Sequence, residues 1–188
     1  DTSKLQAFNK RAFGVEIEFI VPGAITGDRS GSSMYAQRKV AEVIQNQANN
    51  YLLASGHSIT VNAEGYNHTT STDWKIVSDS TAKPTLRQSR NGYVGQFELV
   101  SPICKGEKSM LEIKCILKAM NDYDMTVSKY CGLHVHHDVR EWRRDLRSSN
   151  YEYNVSAMRK MTNCITLVQK FENVIYGMLP ESRRTGGW

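Results

Sequence analysis

Phe13-Gly14-Val15-Glu16-Ile17-Glu18-Phe19 alternates apolar and acidic side chains with the two-residue period of a β-strand. Glu16 and Glu18 therefore share one face, and Val15, Ile17 and Phe19 share the other. Far downstream, Gly132-Leu133-His134-Val135-His136 repeats the pattern with imidazoles. His134 and His136 share a face, opposite Leu133 and Val135. Glutamate is a poor strand residue, and two on one face repel each other. A bound cation offsets that repulsion directly, and carboxylates joined by an imidazole suit magnesium or manganese. Each pair also has a plainer reading: solvated acids on an edge strand, and histidines packed on a sheet face. Taken together, the two segments point to a divalent-metal site carried on a sheet.

Two further acids stand in strand-like surroundings. Glu98 lies inside Gly95-Gln96-Phe97-Glu98-Leu99-Val100, which closes on Ser101-Pro102. Asp79 follows Trp74-Lys75-Ile76-Val77, at a strand end where loops that carry function begin. Alone, Glu98 reads equally as a surface acid on an edge strand, and Asp79 as the acid of an Asx-turn or helix cap.

Outward from these segments the periodicities alternate. Residues 12–21 predict a strand that Pro22-Gly23 ends. Ala36, Val40, Val43, Ile44 and Tyr51 recur at helical spacing, which predicts a helix over 33–53. Strands are expected at 57–61, 74–77 and 96–100, with a polar, basic loop at 81–92. Met110, Ile113, Ile116, Leu117 and Met120 predict a helix over 106–122. A brief strand at 125–128 leads to one at 132–139. A stripe of Val155, Met158, Met161, Ile165, Val168, Phe171, Ile175 and Met178 predicts a long helix over 152–179, ended by Pro180. This order predicts an α+β fold: a mainly antiparallel sheet with helices packed on one face.

The 188 residues suit a single domain over 1–188, with 1–10 as a leader segment and 180–188 as the start of an incomplete C-terminal portion. With 40% hydrophobic and 23% charged residues, the composition is that of a soluble globular protein. No run approaches the roughly 18 apolar residues of a membrane span, and no secretory signal is visible. The four cysteines lack a CxxC spacing and read as reduced, mostly buried thiols, so a cytoplasmic location is expected. The net charge of +5 is mild. Its one cluster, Arg140, Arg143, Arg144 and Arg147, interleaves with Glu141 and Asp145 and reads as a solvated helix start, so nucleic acid is not an expected partner. The chain contains no G-x-x-x-x-G-K-[ST], which excludes a P-loop ATPase.

Four blocks occur in order: Gly14-Val15-Glu16-Ile17-Glu18, Trp74-Lys75-Ile76-Val77-Ser78-Asp79-Ser80, Glu98-Leu99-Val100-Ser101-Pro102 and Cys131-Gly132-Leu133-His134-Val135-His136. Together they resemble the signature blocks of the amidoligase family, carboxylate–amine ligases related to glutamine synthetase and glutamate–cysteine ligase. The last block also resembles the Gly-x-His-x-His of glutamine synthetase. The resemblance runs from about residue 12 to 137, with a weaker extension to Arg183-Arg184. It implies a glutamine-synthetase-like catalytic domain whose curved sheet cups magnesium (or manganese) and ATP. It implies metal ligation by Glu16, Glu18, Glu98 and His134. It also implies catalytic roles for His136 and Asp79, and nucleotide contacts from Arg183 and Arg184. Two departures stand out. The family pattern continues past the last helix into an arginine-bearing segment and further strands, so a chain ending at Trp188 is expected to be cut short or reduced. The acid block reads Asp79-Ser80-Thr81 where Asp-Gly-Ser is commoner.

The activity this implies is ATP- and magnesium-dependent joining of a carboxylate to an amine through an acyl phosphate. Its partners are ATP, a carboxylate and an amine, each of the latter two a small molecule, peptide or protein side chain. An oligomer is compatible, because glutamine synthetase relatives often share sites between subunits. Two other activities fit the same residues: a metal-dependent hydrolase using the Glu/His cluster, and a non-catalytic module that keeps the fold.

Overall fold

The computed structural model describes residues 11–27, 31–179 and 181–184, with the side chains of Ser182 and Arg183 excluded. The expected leader 1–10 and most of the 180–188 segment lie outside the described residues. The chain divides into two compact units, Asp1–His137 and Asp138–Trp188.

The first unit is α+β. Its strands are β1 (Phe13–Pro22), β2 (Val61–Ala63), β3 (Trp74–Ser78), β4 (Tyr93–Val100) and β5 (Leu133–His137). Among the described residues they form one sheet in the order β2-β3-β4-β1-β5. It is mixed: β2 and β3 are parallel, and the other three pairings are antiparallel. Helices of this unit are α1 (Gly23–Thr26), α2 (Met34–Leu52), α3 (Leu86–Arg90) and α4 (Gly106–Asp122).

The alternation in β1 decides which face the helices cover. Val15, Ile17, Phe19 and Val21 enter the core with Trp74 and Ile76 of β3 and Phe97 and Leu99 of β4. Onto them α2 lays Ala36, Val40, Ile44, Ala48 and Leu52, and α4 lays Ile116, Ala119 and Met120. Phe19 and Phe97 are register partners, with ring centroids 5.7 Å apart. Ser33 caps α2 by accepting from Ala36 N at 3.1 Å, where the periodicity placed its start. The buried Glu112 of α4 is satisfied by Trp74 Nε1 (3.0 Å) and His57 Nε2 (2.6 Å), which locks the tryptophan in the core.

Several expectations shift. The loop predicted at 81–92 contains α3, opened by a capping box between Thr85 and Gln88. The strand expected at 57–61 forms instead at Val61–Ala63. The strand expected at 125–128 is a single bridge between Thr126 and Ile20. Leu133 and Val135, the apolar side of their strand, are 66% and 51% exposed. The reason is position: β5 is the outer strand, and α2 lies over β2 and β3 at the other side of the sheet.

The second unit holds α5 (Arg140–Leu146), α6 (Tyr151–Met178) and α7 (Glu181–Arg184). Asn150 caps α6 by accepting from Glu152 N at 2.9 Å. The apolar stripe of α6 is helical in spacing but exposed. Ala157 is its one buried residue among those described. Among the described residues no disulfide forms. Cys104 and Cys115 are buried, Cys131 is half-buried, and Cys164 departs from the expected buried set by being exposed. No helix among the described residues is long and apolar enough to cross a membrane.

Candidate active site

The face of the sheet away from α2 and α4 carries the acids and imidazoles. Register fixes this, because side chains of directly opposed residues in antiparallel strands project to the same side. Glu16 lies opposite His134 on β5 and Val100 on β4, and Glu18 lies opposite Glu98. His136 follows two residues after His134 and stands opposite Gly14. Glu16, Glu18, Glu98, His134 and His136 therefore share one face. Asp79 adjoins it at the end of β3, with its amide donating to the Gln96 carbonyl at 3.3 Å.

Both imidazoles converge on one oxygen. Glu16 Oε2 is 3.3 Å from His134 Nδ1 and 3.1 Å from His136 Nε2. Burial is the largest single influence on Glu16 and pushes its carboxyl up. The hydrogen bonds and charges of His136 and His134 together outweigh it, so the group sits below its ordinary value. Glu98 goes the other way. Burial, then the charges of Glu16, Asp79 and Glu18, push it up to about 7, against a smaller opposing effect of His134.

Two groups of ligand atoms follow from this packing. One atom from each of Glu16, Glu98 and His134 lies within 4.8 Å of the others, and the same holds for Glu18, Asp79 and Glu98. Glu98 belongs to both. Four crowded carboxylates and an imidazole are the donor set that hard divalent ions take. Burial and then the neighbouring acids raise Glu98, and the clustered oxygen and imidazole donors fit such ions.

Three features of the site escaped the reading of the sequence. Gly132 N donates to Glu18 Oε2 at 2.9 Å. A Cβ at Gly132 would lie 3.0 Å from His134 Nε2 and 3.2 Å from Glu18 Oε1, so a side chain there would press both groups outward by a few tenths of an ångström. Ser101 Oγ accepts from Val15 N at 2.8 Å and donates to the Pro102 carbonyl at 2.8 Å, which ties the end of β4 to β1 beside Glu16. Gln96 has φ of 74°, an unusual value for a side-chain-bearing residue, and lies near the irregularity in the β1–β4 ladder between Phe19 and Val21. A glycine beside an H-x-H pair and a Ser-Pro after an acidic strand were visible signals, but their geometric reasons were not.

Asp79 also makes the turn that was its plainer alternative. Its Oδ1 accepts from Thr81 N and Thr81 Oγ1, both at 2.7 Å. The turn holds the carboxyl in place beside Glu18 and Glu98. In the second unit, Arg184 donates to the carbonyls of Leu179 (2.6 Å) and Gly177 (2.9 Å) at the end of α6. The side chain of Arg183 lies outside the described residues.

The family described as putative amidoligase enzyme matches residues 9–155, which span β1 to β5 and every member of the acid–imidazole face. The chain belongs to this family. The amidoligase blocks thus coincide with the strands that carry the site, and the family's description points to a ligase-type enzyme. No curated protein and no solved structure matches this amidoligase chain significantly.

Proposed function

We propose that this amidoligase domain is an ATP-dependent carboxylate–amine ligase of glutamine-synthetase-like architecture, with magnesium or manganese at the acid–imidazole face. The observation that carries the reading is the pair of ligand groups sharing Glu98. Two adjacent cation positions suit an anionic triphosphate and an anionic carboxylate meeting at one point.

Amide formation from a carboxylate requires a better leaving group than oxide. The substrate carboxylate attacks the γ-phosphorus of ATP, the bond to the bridging oxygen breaks, and ADP leaves. The amine then attacks the acyl carbon, loses a proton, and phosphate departs. Divalent ions, when bound, neutralise the phosphate oxygens and align the two anions. Glu16, Glu98 and His134 would hold one ion, and Glu18, Asp79 and Glu98 the other. His136, exposed and two residues from His134, would donate a hydrogen bond to a phosphate or acyl oxygen. Its contact with Glu16 orients the ring. The Gly132 N–H holds one Glu18 oxygen, which orients the carboxylate.

The test is nucleotide turnover in the presence of magnesium across panels of amino acids, peptides and other carboxylate–amine pairs. ADP that forms only when both a carboxylate and an amine are present supports the ligase. Metal-dependent product formation without ATP would replace it with a hydrolase.

A further inference from the structure

Parallel neighbours such as β2 and β3 cannot be joined by a tight hairpin. Residues 64–73 must return along one face of the sheet. Lys75 shows which face. It lies opposite Val100, and Val100 lies opposite Glu16, so Lys75 points to the acid face while Trp74 and Ile76 enter the core. Although charged, Lys75 is only 1% exposed, because the crossover covers it. Its Nζ donates to Asn67 Oδ1 and to the Thr69 carbonyl, each at 2.5 Å, and lies 3.5 Å from Glu64 Oε2. Asn67 Nδ2 in turn donates to Glu64 Oε2 at 3.0 Å. A buried ammonium thus pins the crossover onto the acid-face side of β3, a strand two spacings, or about 10 Å, from β1.

The pinned loop presents an aromatic ring. Tyr66 is 73% exposed. Its hydroxyl is hydrogen-bonded to His68 Nε2 at 2.7 Å, and the two rings meet nearly at right angles with centroids 4.9 Å apart. The tyrosine is therefore held in orientation while most of its surface stays open. The same loop carries hydroxyl and amide groups: Asn67, Thr69, Thr70, Ser71 and Thr72. An oriented, open ring on the loop that Lys75 pins to the acid face suits a base, and the hydroxyls of the same loop suit its ribose.

We propose that the 64–73 crossover is the nucleobase-binding wall of the site, with Tyr66 stacking on the base and Lys75 positioning the loop from beneath. This rests on the ATP reading given above. Base–aromatic stacking is a sequence-tolerant attraction and does not require a hydrogen-bond code for adenine.

Calorimetry with manganese separates the two readings by comparing ATP with inorganic tripolyphosphate, which carries the charge but no base. Wild type is expected to bind ATP more tightly than tripolyphosphate. Tyr66→Ala is expected to weaken ATP between about fivefold and a hundredfold and to leave tripolyphosphate unchanged. Tyr66→Trp is expected to restore ATP binding. Lys75→Met is expected to follow Tyr66→Ala and to speed proteolytic nicking within 64–73. Should Lys75→Met not fold, the Tyr66 pair decides alone. Undiminished ATP affinity in Tyr66→Ala, or an equal loss for both ligands, overturns the stacking wall and leaves the cation–phosphate reading standing. Binding of neither ligand by wild type overturns both.

Discussion

Glu18 and Glu98 are directly opposed register partners on antiparallel strands β1 and β4, two acids side by side on one sheet face. Glu18 is 6% exposed and hydrogen-bonded to Gly132 N. Burial, and then the charges of Glu16, Asp79 and Glu18, push Glu98 up to about 7. Without a cation, the site is an electrostatic liability that grows as pH rises.

That liability has a sign. Between the ordinary carboxylate value of 4.5 and about 7, the folded state holds a proton on Glu98 that the unfolded state has lost. The stability contributed by this group is full below 4.5 and is lost as pH rises through about 7. Glu16, held below its ordinary value, acts oppositely but in a more acidic window. The melting temperature of the cation-free protein is therefore expected to fall between pH 5 and pH 8. Glu98→Gln should flatten that fall. Identical pH profiles for the two proteins would contradict the assignment.

Gly132→Ala is expected to disturb both ligand groups at once, because its Cβ would press on His134 Nε2 and Glu18 Oε1. Overpacking of this kind costs about 1–3 kcal/mol. Gly14→Ala is the control, since its Cβ would meet only ordinary contacts at 3.8 Å. Urea unfolding should show the larger loss at Gly132, together with weaker manganese binding. A larger effect at Gly14 would count against the packing described.

Ser101→Ala leaves Val15 N without its 2.8 Å acceptor beside Glu16. An unsatisfied buried donor costs about 1–3 kcal/mol. Ser101→Thr, which keeps the hydroxyl, should recover most of the loss in the same denaturation measurement. Equal stability of all three proteins would remove the latch from the account.

Gln96→Gly is expected to stabilise the fold, because glycine adopts a φ of 74° without the strain that a Cβ imposes. The gain should be about 1 kcal/mol by urea unfolding. A loss would mean that the Gln96 side chain contributes more than its backbone costs.

Most of the site was legible because period two places Glu16, Glu18, His134 and His136 without any tertiary knowledge. Glu98 and Asp79 were legible as acids at strand positions, but their pairing with Glu18 depends on strand order, which periodicity does not encode. Lys75 was hidden for the same reason: its role appears only once β2 runs parallel to β3 and the crossover returns above it. The helix at 86–90 carried a readable capping box in Thr85 and Gln88, yet its basic, polar composition reads as loop. On α6 the apolar period gave a helix and no more, since periodicity reports a face and not what covers it.

The central proposal is that one sheet face can hold two divalent ions through Glu98, which both groups of donor atoms share. Manganese titration followed by electron paramagnetic resonance, with and without a non-hydrolysable ATP analogue, tests it most directly. The account predicts two manganese ions per chain with the nucleotide bound, coupled closely enough to broaden each other's signal, and loss of that coupling in Glu98→Gln. Manganese that stays free in the wild-type protein, or binds identically to Glu98→Gln, would contradict it.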